Sequence, residues 1–161
     1  MTKYSPITLA NTFLEKYSGG VGIEHMKLQK LCYYAHGWWL AYKDESFLLE
    51  EPQVWRYGPV FNSLYHLLSH FGRKSIVTPQ KANPLQEIET IKDKDINALI
   101  DWVWNRYSNY SAESLSEMTH AEGTPWRIIA EQHNFRVPRD LDIPDSLVKE
   151  CFAKEAAKLQ P

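Results

Sequence analysis

The chain is poor in most of the features that would assign it a chemistry. Its 161 residues hold two cysteines, Cys32 and Cys151. Both fall on apolar helical stripes and no metal-type spacing links them, so reduced, structural thiols are expected. No apolar run approaches the roughly 20 residues of a membrane span. The N-terminal MTKYSP lacks the basic-then-apolar layout of a secretion signal, so a soluble cytoplasmic protein is expected. A formal net charge of −2 and a pI near 6.3 give no positive field to draw in nucleic acid or an anionic membrane. GxSxG, P-loop, GxGxxG and HExxH patterns are absent, as is any dense acidic cluster. No catalytic residue, metal ligand or cofactor is assigned.

What the chain does have is aromatic side chains, six Trp and nine Tyr among them, with Phe and together 13% of residues. Length and an ordinary apolar content argue for one domain, residues 1–161, with a sizeable core. Ser5-Pro6 reads as the cap and first residue of a helix, with Ile7, Ala10, Leu14 and Tyr17 on one face and Gly19-Gly20 at its end. In KLQKLCYYAHGWWLAY, Leu28, Leu31, Cys32, Ala35, Trp39 and Tyr42 form one stripe, and Tyr34 and Trp38 form a second. So apolar a helix is expected to be central. Phe47–Leu49 and Gln53–Tyr57 flank Glu50-Glu51-Pro52 and suggest a hairpin or extended lobe. Gly58-Pro59 reads as the start of a helix with Val60, Phe61, Leu64, Leu67, Leu68 and Phe71 inward.

Residues 73–94 are loop-like, with a strand conceivable at Ile88 to Ile91. Asp93 or Asp95 caps a helix with Ile96, Leu99, Ile100, Val103 and Tyr107 in its core. Ser111 or Ser114 caps a shorter helix, Ser114 with Glu117 having capping-box spacing. Thr124-Pro125 starts another that turns Trp126, Ile129 and Ala130 inward. A last helix buries Val148, Cys151, Phe152 and Ala156. The expectation is a mainly α domain of about six to seven helices with a small β lobe.

The polar candidates are few. His66 and His70 share a helix at metal-binding spacing but lie on its polar face, without a third ligand. Cys32 with His36 one turn on resembles a nucleophile pair, yet the thiol sits mid-stripe, where it is filler. Lys27 and Lys30 stand beside Tyr34 and Trp38, an arrangement that can stack single-stranded nucleic acid or simply snorkel. Overall acidity favours the second reading. Trp55-Arg56-Tyr57 has the composition of a binding hot spot. Thr119, His120 and Trp126 form a second such feature, and Trp102 lies off its helix's core stripe as a further exposed anchor.

The ordered set KLQKLCYYAHGW from Lys27, WRYGPV from Trp55, LSEMTH from Leu115 and Pro125-Trp126 resembles the Panacea domain. This is the SocA-like and GepA-like antitoxin family of bacterial and phage toxin–antitoxin pairs. Matching positions are Lys27 to Leu31, Tyr34, Trp55, Tyr57, Gly58, Pro59, Leu115, Ser116, Thr119, His120, Pro125 and Trp126. The resemblance covers about residues 5 to 130. It implies a non-enzymatic antitoxin, of prophage or bacterial origin, that neutralises a toxin encoded by the neighbouring gene through direct contact. The alternative is an adaptor that delivers its client to a protease; a small hydrolase is the third reading. The C-terminal EAAKLQP contains no evident degradation signal, and surface Trp and Tyr would equally serve a homo-oligomer.

Within this resemblance, Leu28, Leu31, Leu115, Gly58 and Pro59 read as architectural. Gln29 and His36 are expected to bond main-chain groups of the hairpin or of the Thr119-His120 turn. Lys27, Lys30, Arg56, Tyr57, His120 and Trp126 are expected to converge as a polar-aromatic patch, with Tyr34, Trp55, Trp102 and Thr119 completing the partner-binding candidates.

Overall fold

A computed structural model describes residues 1–159; Gln160 and Pro161, the end of the EAAKLQP tail, lie outside the described residues. In chain order the elements are α1 (Pro6–Tyr17), β1 (Ile23–Glu24), α2 (His25–Lys43), β2 (Gln53–Trp55) and β3 (Gly58–Val60). They continue with α3 (Asn62–Leu68) and a 3-10 turn (Ser69–Phe71), then β4 (Ser75–Ile76) and α4 (Lys94–Tyr107). The chain closes with α5 (Ala112–Thr119), α6 (Pro125–Gln132) and α7 (Asp145–Leu159). The fold is mainly helical, as the periodicity predicts.

The axis is α2, buried on nearly every side, with α7, α4, α5, α1 and α3 packed around it. An apolar stripe wider than half a helix can be covered only by several neighbours. Its second row explains the aromatic content. Tyr34 stacks on Tyr107 with ring centroids 3.9 Å apart, and the Trp38 indole N–H donates to the Tyr107 hydroxyl at 2.9 Å. Phe152 meets Tyr33, Tyr34 and Trp38 edge-on. These rings weld α2 to α4 and α7, combining large buried area with directional contacts. Gly37 lets α7 approach: a Cβ built there overlaps the Phe152 ring.

The caps hold. Ser5, Asp93, Ser111 and Thr124 each accept a backbone N–H of their helix's first turn. The cap of α5 is thus Ser111, and Ser114 lies inside the helix. Tyr42, expected on the stripe, is instead 58% exposed, with its ring stacked along that of Trp38 one turn back.

The β elements differ from expectation. The hairpin joins β2 to β3 through the Arg56-Tyr57 turn, with Val54 opposite Pro59. Gly58-Pro59 is therefore strand, and α3 begins only after Phe61. Pro59 is tolerated because a short edge strand can forgo one N–H, and Gly58 supplies a φ of +113° that leaves the turn. Phe47–Leu49 does not join that hairpin; Tyr4 bonds its backbone instead, donating to the Phe47 carbonyl and accepting from Leu49 N–H. No strand forms at 88–91. β4 instead pairs antiparallel with β1, while Ile91 is buried and its N–H donates to the Thr12 hydroxyl at 2.9 Å.

Gly37→Ala should lower the unfolding free energy by about 1–3 kcal/mol, the usual cost of overpacking a close helix contact. Urea denaturation of the purified variant measures it.

Candidate partner-binding site

Three-residue strands cannot satisfy their own backbone, and buried main-chain polar groups need partners. Side chains from three helices supply them. Gln29 of α2 pairs with both main-chain groups of Phe61: its amide N–H donates to the carbonyl at 3.2 Å, and its oxygen accepts the Phe61 N–H at 2.9 Å. The Lys30 amine donates to the Pro59 carbonyl at 2.9 Å. Ser116 of α5 donates to the Tyr57 carbonyl, and the Trp126 indole of α6 donates to the Trp55 carbonyl at 2.7 Å. On the hairpin's outer side, Val54 N–H donates to the Leu141 carbonyl and Ile143 N–H to the Pro52 carbonyl, at 3.0 and 2.7 Å.

Lys30 is 0% exposed, and no carboxylate among the described residues pairs with it. Burial lowers its amine to about 7. It lies against Gly58, where a Cβ would stand 2.8 Å from the Thr119 hydroxyl and 3.1 Å from Lys30 Cε. The bare backbone at Gly58 is what admits both side chains.

The result is a fixed turn with free side chains. Tyr57 is 61% exposed, with the Arg56 guanidinium over its ring. Tyr57 and His120 line one groove of about 620 Å³, together with Glu24, Met26, Arg73, Ala112, Glu113, Ser116 and Glu117. A neighbouring groove of about 390 Å³ shares Met26, Tyr57 and Gly72 and brings in Trp55 and Arg56. Burial, then the nearby Arg127 and Lys30 cations, hold the His120 imidazole below its usual range. Its ring lies 5.1 Å from that of Trp126.

The structure therefore brings together Trp55, Arg56, Tyr57, Thr119, His120 and Trp126, with Lys30 beneath them. Three of these are not surface groups: Lys30, Thr119 and Trp126 are buried and hold the hairpin or its surroundings from below. Lys27 is not in the cluster; its amine donates to the Ser108 carbonyl at the α4–α5 corner. Tyr34 is buried in the α2–α4–α7 aromatic stack, and Trp102 packs edge-on against Trp38 at 5.2 Å with Arg106 over it. Tyr34 and Thr119 line a separate cavity of about 500 Å³ floored by Tyr33 and Phe152. Glu24, Met26 and Glu117 were missed because they carry no local pattern; only the tertiary approach of α5 to the start of α2 assembles them.

Gln29 bonds the main chain as expected, whereas His36 does not. Its Nδ1 faces the Ser46 hydroxyl at 3.4 Å and its Nε2 lies 2.9 Å from the Asp145 carboxylate. The order Ser46, His36, Asp145 imitates a nucleophilic triad in composition. The Ser46 hydroxyl, however, is buried and caps a turn by accepting the Leu48 N–H at 3.0 Å. Neither Ser46 nor His36 lines a cavity among those described. The cluster ties the 44–48 loop to the start of α7.

The motifs that shape this site are those of a known family. The SocA-like antitoxin, Panacea domain, matches residues 28–127, and the chain belongs to that family. Antitoxin SocA of Caulobacter vibrioides (strain NA1000 / CB15N) is 31% identical over 150 residues, covering 89% of this chain and 80% of that protein. No solved structure matches the chain. Membership supports an antitoxin role in a toxin–antitoxin system with a cognate toxin as partner, and speaks for a non-enzymatic role. No helix among the described residues is long and apolar enough to cross a membrane.

Two outcomes follow from the clamp. Gln29→Ala leaves the buried N–H and carbonyl of Phe61 unpaired and should cost about 2–4 kcal/mol in urea denaturation. The Lys30 amine titrates near 10.5 when unfolded and about 7 when folded. Between those values the unfolded chain binds more protons, so stability rises with pH. Wild type should therefore gain on Lys30→Met from about pH 7 to about pH 9, with a slope of at most about 1.4 kcal/mol per pH unit. Paired urea titrations across that range measure the difference.

Proposed function

We propose that this chain is an antitoxin that neutralises a toxin encoded by the neighbouring gene through direct contact, using the face around the Arg56-Tyr57 turn and His120. The observation that carries this reading is an exposed aromatic-plus-arginine pair on a turn held at the Tyr57 carbonyl by Ser116 and flanked by strand carbonyls that the buried Trp126 and Lys30 hold. Aromatic and Arg side chains dominate binding hot spots. A turn that is already ordered loses little conformational entropy on binding, so more of the contact energy appears as affinity.

The reading is tested by co-expressing the chain with the neighbouring gene product and scoring growth rescue together with co-purification. Rescue with a stable complex supports occlusion by contact. Rescue without a complex, accompanied by protease-dependent loss of the toxin, would replace it with the adaptor reading. Tyr57→Ala should weaken the purified complex about tenfold or more, since hot-spot truncations cost upward of about 1.4 kcal/mol. Its melting temperature should stay close to wild type, because the ring is largely exposed.

A further inference from the structure

The groove between the hairpin turn, the start of α2 and α5 is apolar within and acidic at its edge. Met26, the Tyr57 ring and Ala112 make its apolar wall, and Glu24, Arg73, Glu113 and Glu117 are the charged side chains lining it. Arg73 is ion-paired with Glu113. Neither Glu24 nor Glu117 has a salt-bridge partner among the described residues. Of the other cations nearby, Arg56 lies over the Tyr57 ring, Arg127 donates to the His120 carbonyl, and Lys27 feels the Glu24 charge without forming an ion pair with it. The Lys27 amine is turned onto the Ser108 carbonyl, and Lys30 is sealed beneath the hairpin. His120 adds no charge at neutral pH, its imidazole being held below its usual range by burial and by Arg127 and Lys30.

We propose that this groove receives one apolar side chain of the toxin, from a segment that carries lysine or arginine beside it, with Glu24 and Glu117 pairing with those cations. The proposal rests on the antitoxin reading above. A volume of about 620 Å³ accepts a leucine or aromatic side chain with room to spare. Burying that side chain against Met26 and Tyr57 supplies the desolvated centre of an interface. The two free carboxylates at the rim repel an acidic segment and steer a basic one, which gives orientation and encounter rate. An uncommitted carboxylate pair beside an apolar wall thus selects for one kind of partner surface.

The experiment is isothermal titration of the purified full-length chain with its purified toxin at low and physiological salt. The variants are Glu24→Lys/Glu117→Lys, Ala112→Trp, which fills the groove from α5, and Glu150→Lys/Glu155→Lys on α7, which contributes nothing to the lining. Melting curves establish that each variant is folded. The expected result is a loss of about tenfold or more for the first two, a shallower salt dependence for Glu24→Lys/Glu117→Lys, and no change for the α7 pair. Wild-type binding with Glu24→Lys/Glu117→Lys within about twofold of it overturns the proposal and leaves the antitoxin reading standing. Tighter binding by that variant overturns it as well. Wild type that neither binds nor rescues growth removes the antitoxin reading and this proposal with it.

Discussion

The structure turns on the need to satisfy the backbone of a hairpin too short to satisfy itself. β2 and β3 are three residues each, and most of their residues are buried. Every carbonyl turned inward must find a donor there or cost about as much as a lost hydrogen bond. The donors come from α2, α5 and α6, and their positions fix how those helices meet. Gln29 and Lys30 are consecutive on α2, so one turn of that helix reaches both Phe61 and Pro59. Ser116 and Trp126 then hold α5 and α6 to the other end of the hairpin. Residues that look polar and superficial in the sequence are fastenings of the tertiary fold.

Lys30 is the costly member of that set. A lysine without a carboxylate at 0% exposure destabilises its own charged form, and the amine's fall to about 7 is the measure of it. Yet a neutral amine still donates, so the hydrogen bond to Pro59 survives loss of the proton. The flexible four-carbon stem runs through the core from α2 to the hairpin as apolar filler, with a donor at its far end. Leucine or methionine would fill the same tunnel and leave the Pro59 carbonyl bare. Gly58 completes the arrangement by leaving space that a side chain would close.

Much of the helical frame was legible because periodicity and capping act locally. Ser5-Pro6, Thr124-Pro125 and the Val148–Ala156 stripe say where helices start and what they bury, without reference to distant residues. Gly58-Pro59 misled because the same dipeptide suits a helix start and a turn-to-strand exit, and only the pairing of Val54 with Pro59 decides between them. Ile88 to Ile91 looked like strand because Ile88, Thr90 and Ile91 are all β-branched, and nothing local shows that the Thr12 hydroxyl will take the Ile91 N–H. Lys30 and Lys27 were placed together by spacing, but α2 sends one to the hairpin and the other to the α4–α5 corner. The groove rim was invisible because Glu24, Met26 and Glu117 lie on separate elements joined only in three dimensions.

This division bears on what family membership means here. Most of the matching positions that the structure places in the clamp are buried: Gln29, Lys30, Gly58, Pro59, Thr119 and Trp126. Their requirements are internal, set by carbonyls and close approaches within this chain. Arg56 and the Tyr57 ring, by contrast, meet mainly each other and solvent. Changing them leaves the clamp intact, because the clamp grips the Tyr57 carbonyl and not its side chain. A scaffold built this way holds the course of its turn without help from the side chains the turn presents, so the requirements of the fold and those of the exposed surface fall on different atoms of the same residues.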